Sequence, residues 1–497
     1  MANSVYGIAL SGLNAARAGL SATSNNIANS NTVGFNRQQV IQQARPSTGS
    51  DIGYIGQGVD IASVQRVYSD FINAQEQKAT SDAAFFSAKA QQIARVDAMI
   101  ADESSGLSSA LSIFFASAQT LSTNPADLAA RQNYLSSAET LSSRFNGIDT
   151  VMDELRNATN LKVRDTVEQL NNATAQIAKL NNQIVTALNQ TSNGGPPNDL
   201  MDQRDRLILQ VAEQVQVTRV NMADGSTNLF LGNGQSLVVG TTQFKVETQI
   251  DPQDPKNLLV GMTTTINGQP RLMAFDSASL GQGALAGFLS FRENELTEYQ
   301  NTIGLLAARI GETVNNLQTA GADLDGNLTT NKPLFSFGSS GSFVEDVSRV
   351  VPNVNNSTSN PTEISMRSLN LARLSSVEYE VQIVGGQPRY REAGSGGAFL
   401  PATLVTDPGG DYYEIRDSTN QPLLSFTLDN ATPQEGDRFI LMPVRDAALN
   451  MRTAISSPAD VATASAPTAT NPFSIGKNDQ ILEVAKLQNS RTLFQAN

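Results

Sequence analysis

Asp202 and Asp205 stand about one helical turn apart in DLMDQRDRLILQVAEQV, the stretch that begins at Asp199. Paired carboxylates at this spacing are candidates for general acid/base work. The alternative is structural: Asp199 caps a helix, Asp202 lies in the first turn where the helix dipole favours negative charge, and Arg204 and Arg206 balance the acids. We prefer the second, because no apolar surrounding is evident that would drive two carboxyl pKa values apart. Two further patterns look like chemistry at first sight. Gly281, Gly283 and Ala286 match G-x-G-x-x-A, but hairpin-like residues precede them where a dinucleotide fold needs the first strand of a βαβ unit. Asp323, Asp325, Gly326 and Asn327 suggest a calcium loop, yet the glycine comes two positions early and no Glu closes the loop, so a tight turn is expected.

Composition removes most other chemistry. The 497 residues contain no His, no Cys and no Trp. A Ser-His-Asp triad, a thiol nucleophile, a Cys/His zinc site and an imidazole shuttle are therefore impossible. No disulfide can staple the chain, and stability must come from buried area divided over about three domains of roughly 150 residues each. Lys and Arg total 34 against 47 Asp and Glu, a net charge of −13, which repels nucleic acid and anionic lipid. No apolar run approaches the roughly 18 residues of a membrane span, and MANSVYGIAL carries no Lys or Arg, so neither membrane insertion nor an ordinary signal peptide is expected. No cofactor or metal site is expected either.

What positions these residues is mostly helix. Ala9, Leu13, Ala16, Leu20, Thr23 and Ile27 keep alternating steps of four and three, the rhythm of a coiled-coil seam. The stripe is narrow and rich in alanine, so the helix would be marginal alone and needs a partner, unless it packs on its own domain. From Phe35 to about Phe71 the chain reads as extended, with short strands. Helical texture runs from about Asp70 to Gln190, interrupted at Ser104 to Gly106 and at Asn124-Pro125. Its second half has seam residues Leu141, Phe145, Ile148, Met152 and Leu155, then Val163, Val167, Leu170, Thr174, Ile177, Ile184 and Leu188. The eight-residue step from Leu155 to Val163 resembles a stutter. Asn193 to Pro197, NGGPP, ends it.

Residues 215 to 276 alternate as strands, with Asp224-Gly225 and Asn267-Gly268 as hairpin turns. A second long helix follows, with seam Leu289, Leu296, Tyr299, Ile303, Leu306, Ile310, Thr313 and Leu317, Arg292 as the intruder and Gly321 as the stop. Beyond about 335 the texture is β: Val377, Tyr379, Val381 and Ile383 alternate, Gly385-Gly386 turns, and further strands run to Leu441. Lys477 to Leu493 returns to helix. The fold class expected is thus α+β and multidomain: a helical-bundle domain with small β elements, an inserted mainly-β domain and an N-terminal coiled-coil-type segment. The divisions are 1–35, 36–335, 336–446 and 447–497.

IALSGLNAARAGLSATSNNIANSNTVGFNRQQ, Ile8 to Gln39, resembles the opening signature of bacterial flagellar axial proteins, a group of rod, hook and hook-associated proteins. Its most specific residues are Ser24, Asn25, Asn26, Asn29, Gly34, Phe35 and Arg37. Asn198 to Val217, Gly232 to Gly240, Gly436 to Ala448 and Leu482 to Leu493 are similar to the hook-filament junction family in particular. The resemblance implies a structural, non-enzymatic adaptor between hook and filament, exported unfolded through the flagellar type III apparatus and extracellular once assembled. It implies as partners the hook protein, the second junction protein, further copies in a ring, and an export chaperone. Leu13, Ala16, Leu20 and Ile27 are then the expected assembly contacts, and Asp199, Asp202, Arg204 and Asp205 a helix-start motif. Family members continue into a C-terminal heptad helix, so a chain stopping at Asn497 is expected to be a fragment or a variant. For a subunit threaded unfolded through a channel, having no thiols also avoids cross-links.

Overall fold

A computed structural model of the chain describes residues 2–50, 53–100, 106–190, 195–251, 254–266, 268–353, 356–357, 359–360, 362–429, 432–470 and 472–490. Asn267, Asn193, Gly194, Ser104 and Arg491 to Leu493, each part of a sequence expectation, lie outside these residues. Helix and sheet are both abundant, and every described ladder is antiparallel, which leaves no βαβ unit for the Gly281 pattern. Two compact units divide the chain. One comprises Met1–Gln91, Leu161–Gln249 and Leu259–Ser290; the other comprises Gln92–Asn160, Ile250–Leu258 and Phe291–Asn497.

The first unit opens with helix α1, Ala2–Ala28, followed by strands Gln38–Ala44 and Val59–Arg66, which pair in register from Gln38 opposite Arg66. Helices α2 (Asp70–Ile100), α4 (Leu128–Gln190) and α5 (Asn198–Gln214) contribute to it in whole or in part. Its core gathers Val163, Val167, Leu170 and Ile177 of α4, Ile208, Val211 and Val215 at α5, and Leu229, Leu231, Leu237 and Val238 of a four-stranded sheet. Gly225, at φ +88, makes the Asp224-Gly225 turn of that sheet, where only a residue free of the Cβ clash sits at ease.

The second unit is built on helix α3 (Leu107–Thr123), the first part of α4 and the helix Thr297–Thr319. Asp127 accepts a hydrogen bond from the Ala129 amide at 2.9 Å and so opens α4 after the Asn124-Pro125 break. Phe114 stacks on Tyr134 with centroids 5.2 Å apart, and Phe145, Ile310, Phe335, Phe426 and Phe439 join one continuous core. The β residues form a five-stranded and a four-stranded antiparallel sheet between Arg349 and Met442. Tyr379, Val381 and Ile383 point inward on alternate positions as their spacing demands, and Gly385 and Gly386 both take positive φ in the tight turn.

The single 63-residue helix α4 explains the eight-residue offset in its seam. Leu141, Phe145, Met152 and Leu155 are buried in the second unit, Val163, Val167, Leu170 and Ile177 in the first, and the division falls between Asn160 and Leu161. The phase changes where the helix changes neighbours.

Four expectations are corrected. The seam drawn through Leu289 is not one α-helix, because Phe291–Leu296 is a π turn between the helices Ala284–Ser290 and Thr297–Thr319, and the extra residue rotates the register. Arg292 is no intruder there: it is buried and donates to Asn160 Oδ1 (2.9 Å) and the Leu258 carbonyl (2.8 Å). Gly321 does not stop the second helix, which ends at Thr319; it opens a short strand paired with Ala464–Ser465, where a Cβ would lie 2.6 Å from Ala462 Cβ. Asp199 does not cap α5, whose N-cap position is Pro197, and it sits in the first turn instead. The loop at Asp323 is the expected tight turn, its carboxylate accepting from the amides of Asp325 (3.0 Å) and Asn327 (2.8 Å).

Candidate assembly surface

Helix α1 has two faces of opposite character. Three glycines, Gly7, Gly12 and Gly19, weaken it by about 1 kcal/mol each relative to alanine, so packing must hold it. One face supplies that packing: Ser11 and Ala15 are buried, and Ser11 Oγ accepts from the Val59 amide at 3.1 Å while donating to the Ile8 carbonyl at 2.8 Å. The approach is close enough that a Cβ on Gly58 (φ +93) would meet Ser11 Oγ at 2.2 Å. The other face is the seam. Leu13 is 58% exposed, Leu20 69% and Ile27 70%, and Ala9, Ala16 and Thr23 are exposed beside them. Apolar residues at coiled-coil spacing on a helix otherwise fixed in place form a surface to be covered.

The segment after the seam fixes where that surface points. Asn26 clasps Gln38 reciprocally, its amide donating to the Gln38 carbonyl and its Oδ1 accepting from the Gln38 amide, both at 2.8 Å. Asn29 donates to Asn25 Oδ1 at 2.8 Å and closes the last turn. The chain then reverses through Gly34 at φ +73, where a Cβ would come within 2.2 Å of Arg206 Cγ. Arg206 in turn donates to the Val33 carbonyl at 3.3 Å. Asn36 reaches α5, its backbone and side-chain nitrogens donating to the Asp202 carboxylate at 3.2 and 2.8 Å. Phe35 is half-buried, whereas Ser24 and Arg37 are exposed. The axial motif and the helix-start motif, read separately in the sequence, are thus two sides of one joint.

Four charges balance at its centre, and the expected pairing of the acids with Arg204 and Arg206 is not the one found. Arg66 Nη1 lies 2.6 Å from Asp202 Oδ1 and 2.8 Å from Asp205 Oδ2, and Arg219 Nη1 lies 2.9 Å from Asp205 Oδ1. All four side chains are at most 10% exposed. Burial disfavours the Arg66 cation, but the two carboxylates outweigh it and hold its pKa above the ordinary value. Tyr68 packs against both guanidinium groups, 4.9 Å from Arg66 and 5.3 Å from Arg219, and its hydroxyl accepts from Arg219. Burial first, and Asp205 second, push the phenol up to about 12, so it keeps its proton. Arg204 faces away, donating to Asn181 Oδ1 (3.1 Å) and the Gly225 carbonyl (2.7 Å); burial lowers it to about 10. The sequence contains no sign of Arg66, Tyr68 or Arg219 as members, because long-range ion pairs leave no periodicity.

Chemically, this arrangement holds parts together. Both carboxylates of the candidate acid/base pair are committed to buried guanidinium groups, and removing one partner would leave a stranded charge. Among the described residues no group of three or more Asp or Glu side chains could hold a metal ion, and no helix is long and apolar enough to cross a membrane.

The chain is similar to several known proteins. Residues 93–335 match the family described as flagellar hook-associated protein FlgK helical domain, and residues 8–36 match flagella basal body rod protein. The chain is 32% identical over 496 residues to flagellar hook-associated protein 1 of Salmonella typhimurium, covering 99% of this chain and 84% of that protein. It is 31% identical over 466 residues to the Escherichia coli protein of the same name, covering 93% of this chain and 80% of that protein. It is also similar to the solved structure of the flagellar hook junction protein FlgK from Burkholderia pseudomallei, with a TM-score of 0.67 and 27% identity, over 79% of this chain and 66% of that one.

Proposed function

The chain belongs to the flagellar hook-associated protein 1 family, and on that premise we propose that it is a non-enzymatic structural subunit joining hook to filament. The observation that carries the reading is the α1 seam: Leu13, Ala16, Leu20 and Ile27 lie uncovered along a helix whose opposite face is pinned by Ser11 and Asn26. Covering that seam takes a second helix, and repeating the contact around an axis gives a ring of copies. In this reading residues 1–35 form the inner layer, 36–335 with 447–497 the helical domain around it, and 336–446 the outward β domain. The hook protein and the second junction protein are the neighbours along the axis, and an export chaperone accompanies the chain before assembly. The chain is exported through the flagellar type III apparatus, and the assembled subunit is extracellular.

Replacing Leu13 and Leu20 by Asp in the whole gene is expected to leave the circular dichroism of the purified chain unchanged while filaments detach from hooks, scored by electron microscopy and swimming. Normal filaments in that strain would overturn the reading. A place elsewhere on the axis, in hook or distal rod, is the nearest alternative, since residues 8–36 match a rod family. Gold-labelled antibody on purified hooks separates the two by position.

A further inference from the structure

The five-stranded and four-stranded sheets of the second unit form an open pocket of about 880 Å³ where they meet, and it shares no residue with the α1 seam. Tyr379, Tyr390 and Arg391 line it from one sheet, and Ile415, Arg416 and Leu423 from the other. The Tyr390 hydroxyl donates to the Arg416 carbonyl at 3.2 Å and ties the two sheets together. Three guanidinium groups line the pocket, yet each already has its carboxylate. Arg373 pairs with Asp417 at 2.9 Å, Arg391 with Glu380 at 2.5 Å and Arg416 with Glu414 at 2.5 Å. Acidic residues also outnumber basic ones across 336–446, so an anion meets matched cations and a repelling field. A cation fares no better, because the same three guanidinium groups stand beside Asp417 and Glu392.

What the pocket leaves open is hydrogen bonding. Arg416 Nε is buried and, among the described residues, has no hydrogen-bond partner, and a buried donor left unmatched is costly. Ser375, Ser395 and Ser418 add hydroxyl groups to the lining, each able to donate and accept. Ala398, Leu400 and the Tyr390 ring supply apolar surface beside them. A ligand that fits is therefore uncharged, carries oxygens that accept from Arg416 Nε and hydroxyls that match the serines, and has an apolar face. Sugar rings combine these properties, with hydroxyls at the edge and C–H groups on the face. We propose that the pocket binds a neutral saccharide, a ring or hydroxyl oxygen accepting from Arg416 Nε and a C–H face of the sugar resting on Tyr390.

Saturation-transfer difference NMR of the full chain with the methyl glycosides of glucose, mannose and galactose, and with N-acetylglucosamine, is expected to show transfer to a sugar of this set. Ser418 is exposed at the pocket's edge, so Ser418→Trp blocks the entrance without touching the core and should weaken binding by about tenfold or more at unchanged circular dichroism. Arg416→Lys keeps a cation beside Glu414 but has no Nε–H to donate, and it should weaken binding by about tenfold in the same titration. Transfer to none of these sugars overturns the proposal. So does transfer that survives Ser418→Trp, which would put the sugar elsewhere on the chain. Transfer to glucuronic acid alone overturns it too, making the pocket an anion site, and undiminished affinity in Arg416→Lys removes Arg416 Nε as the donor on which the proposal rests.

Discussion

Asn36 and Asp202, 166 residues apart in sequence, share two hydrogen bonds: the Asn36 amide and side chain both donate to one carboxylate, at 3.2 and 2.8 Å. The same carboxylate holds Arg66 at 2.6 Å. One side chain therefore ties together the end of the axial motif, the hairpin under α1 and the start of α5. It adds to the Ser11 and Asn26 contacts that set the direction of the exposed seam.

Asp202→Ala strands Arg66 with Asp205 alone and leaves two donors of Asn36 unpaired. Breaking a buried pair costs about 3–5 kcal/mol. The loss is local, so amide exchange at Asn36 to Gln38 should quicken by roughly a hundredfold or more while α3 amides are unaffected. Equal acceleration in both places would mean that the carboxylate stabilises the fold generally and does not act as a joint.

Within the axial motif the residues should differ sharply in cost. Asn26→Ala removes both bonds of the Gln38 clasp, about 1–2 kcal/mol. Ser24 is exposed, and Ser24→Ala should stay within about 0.5 kcal/mol. Limited proteolysis of residues 29–37 compares the two, with faster cutting expected only for the Asn26 variant.

Gly34→Ala meets two obstacles at once, a left-handed backbone (φ +73) and Arg206 Cγ 2.2 Å from the new Cβ. Strain of this kind costs of order 1–3 kcal/mol. Pairing Gly34→Ala with Arg206→Ala should recover the steric part but not the backbone part, so the double variant is expected to fall between Gly34→Ala and the unaltered chain in thermal unfolding. A double variant no more stable than Gly34→Ala would assign the whole cost to the backbone.

Much of the helical frame is legible in the sequence because periodic burial and helix breakers act locally. Asn124-Pro125 ends α3, and the four-three spacing of Leu141 to Leu155 matches side chains buried on one face. The rotation at Phe291–Leu296 is not legible: nothing in FRENEL distinguishes a π turn from an α turn, and the insertion follows from neighbours that the sequence does not name. The joint is half legible. Its Asn and Asp residues stand out as motif, but their partners Arg66 and Arg219 come from segments whose local pattern is ordinary strand, and Tyr68 follows just after the first of them. Gly321 looks like a helix stop because glycine ends helices, whereas here it is needed for close approach between two short strands.

Asp149, in the second unit, should contribute a pH dependence opposite to the usual carboxylate behaviour. Its side chain is buried on α4; burial first, and the Asp153 charge second, push its pKa up to about 6, with Lys256 opposing. A carboxyl that holds its proton more tightly folded than unfolded contributes stability below its ordinary range. That contribution is lost as pH rises through about 6. Asp149→Asn cannot ionise, so its advantage over the unaltered chain should be near zero at about pH 4 and grow to about 2–3 kcal/mol by about pH 8, two pKa units at about 1.4 kcal/mol each. Thermal unfolding of both chains across that range gives the difference, and a difference that shrinks as pH rises would show that Asp149 is ionised and paired in the folded chain.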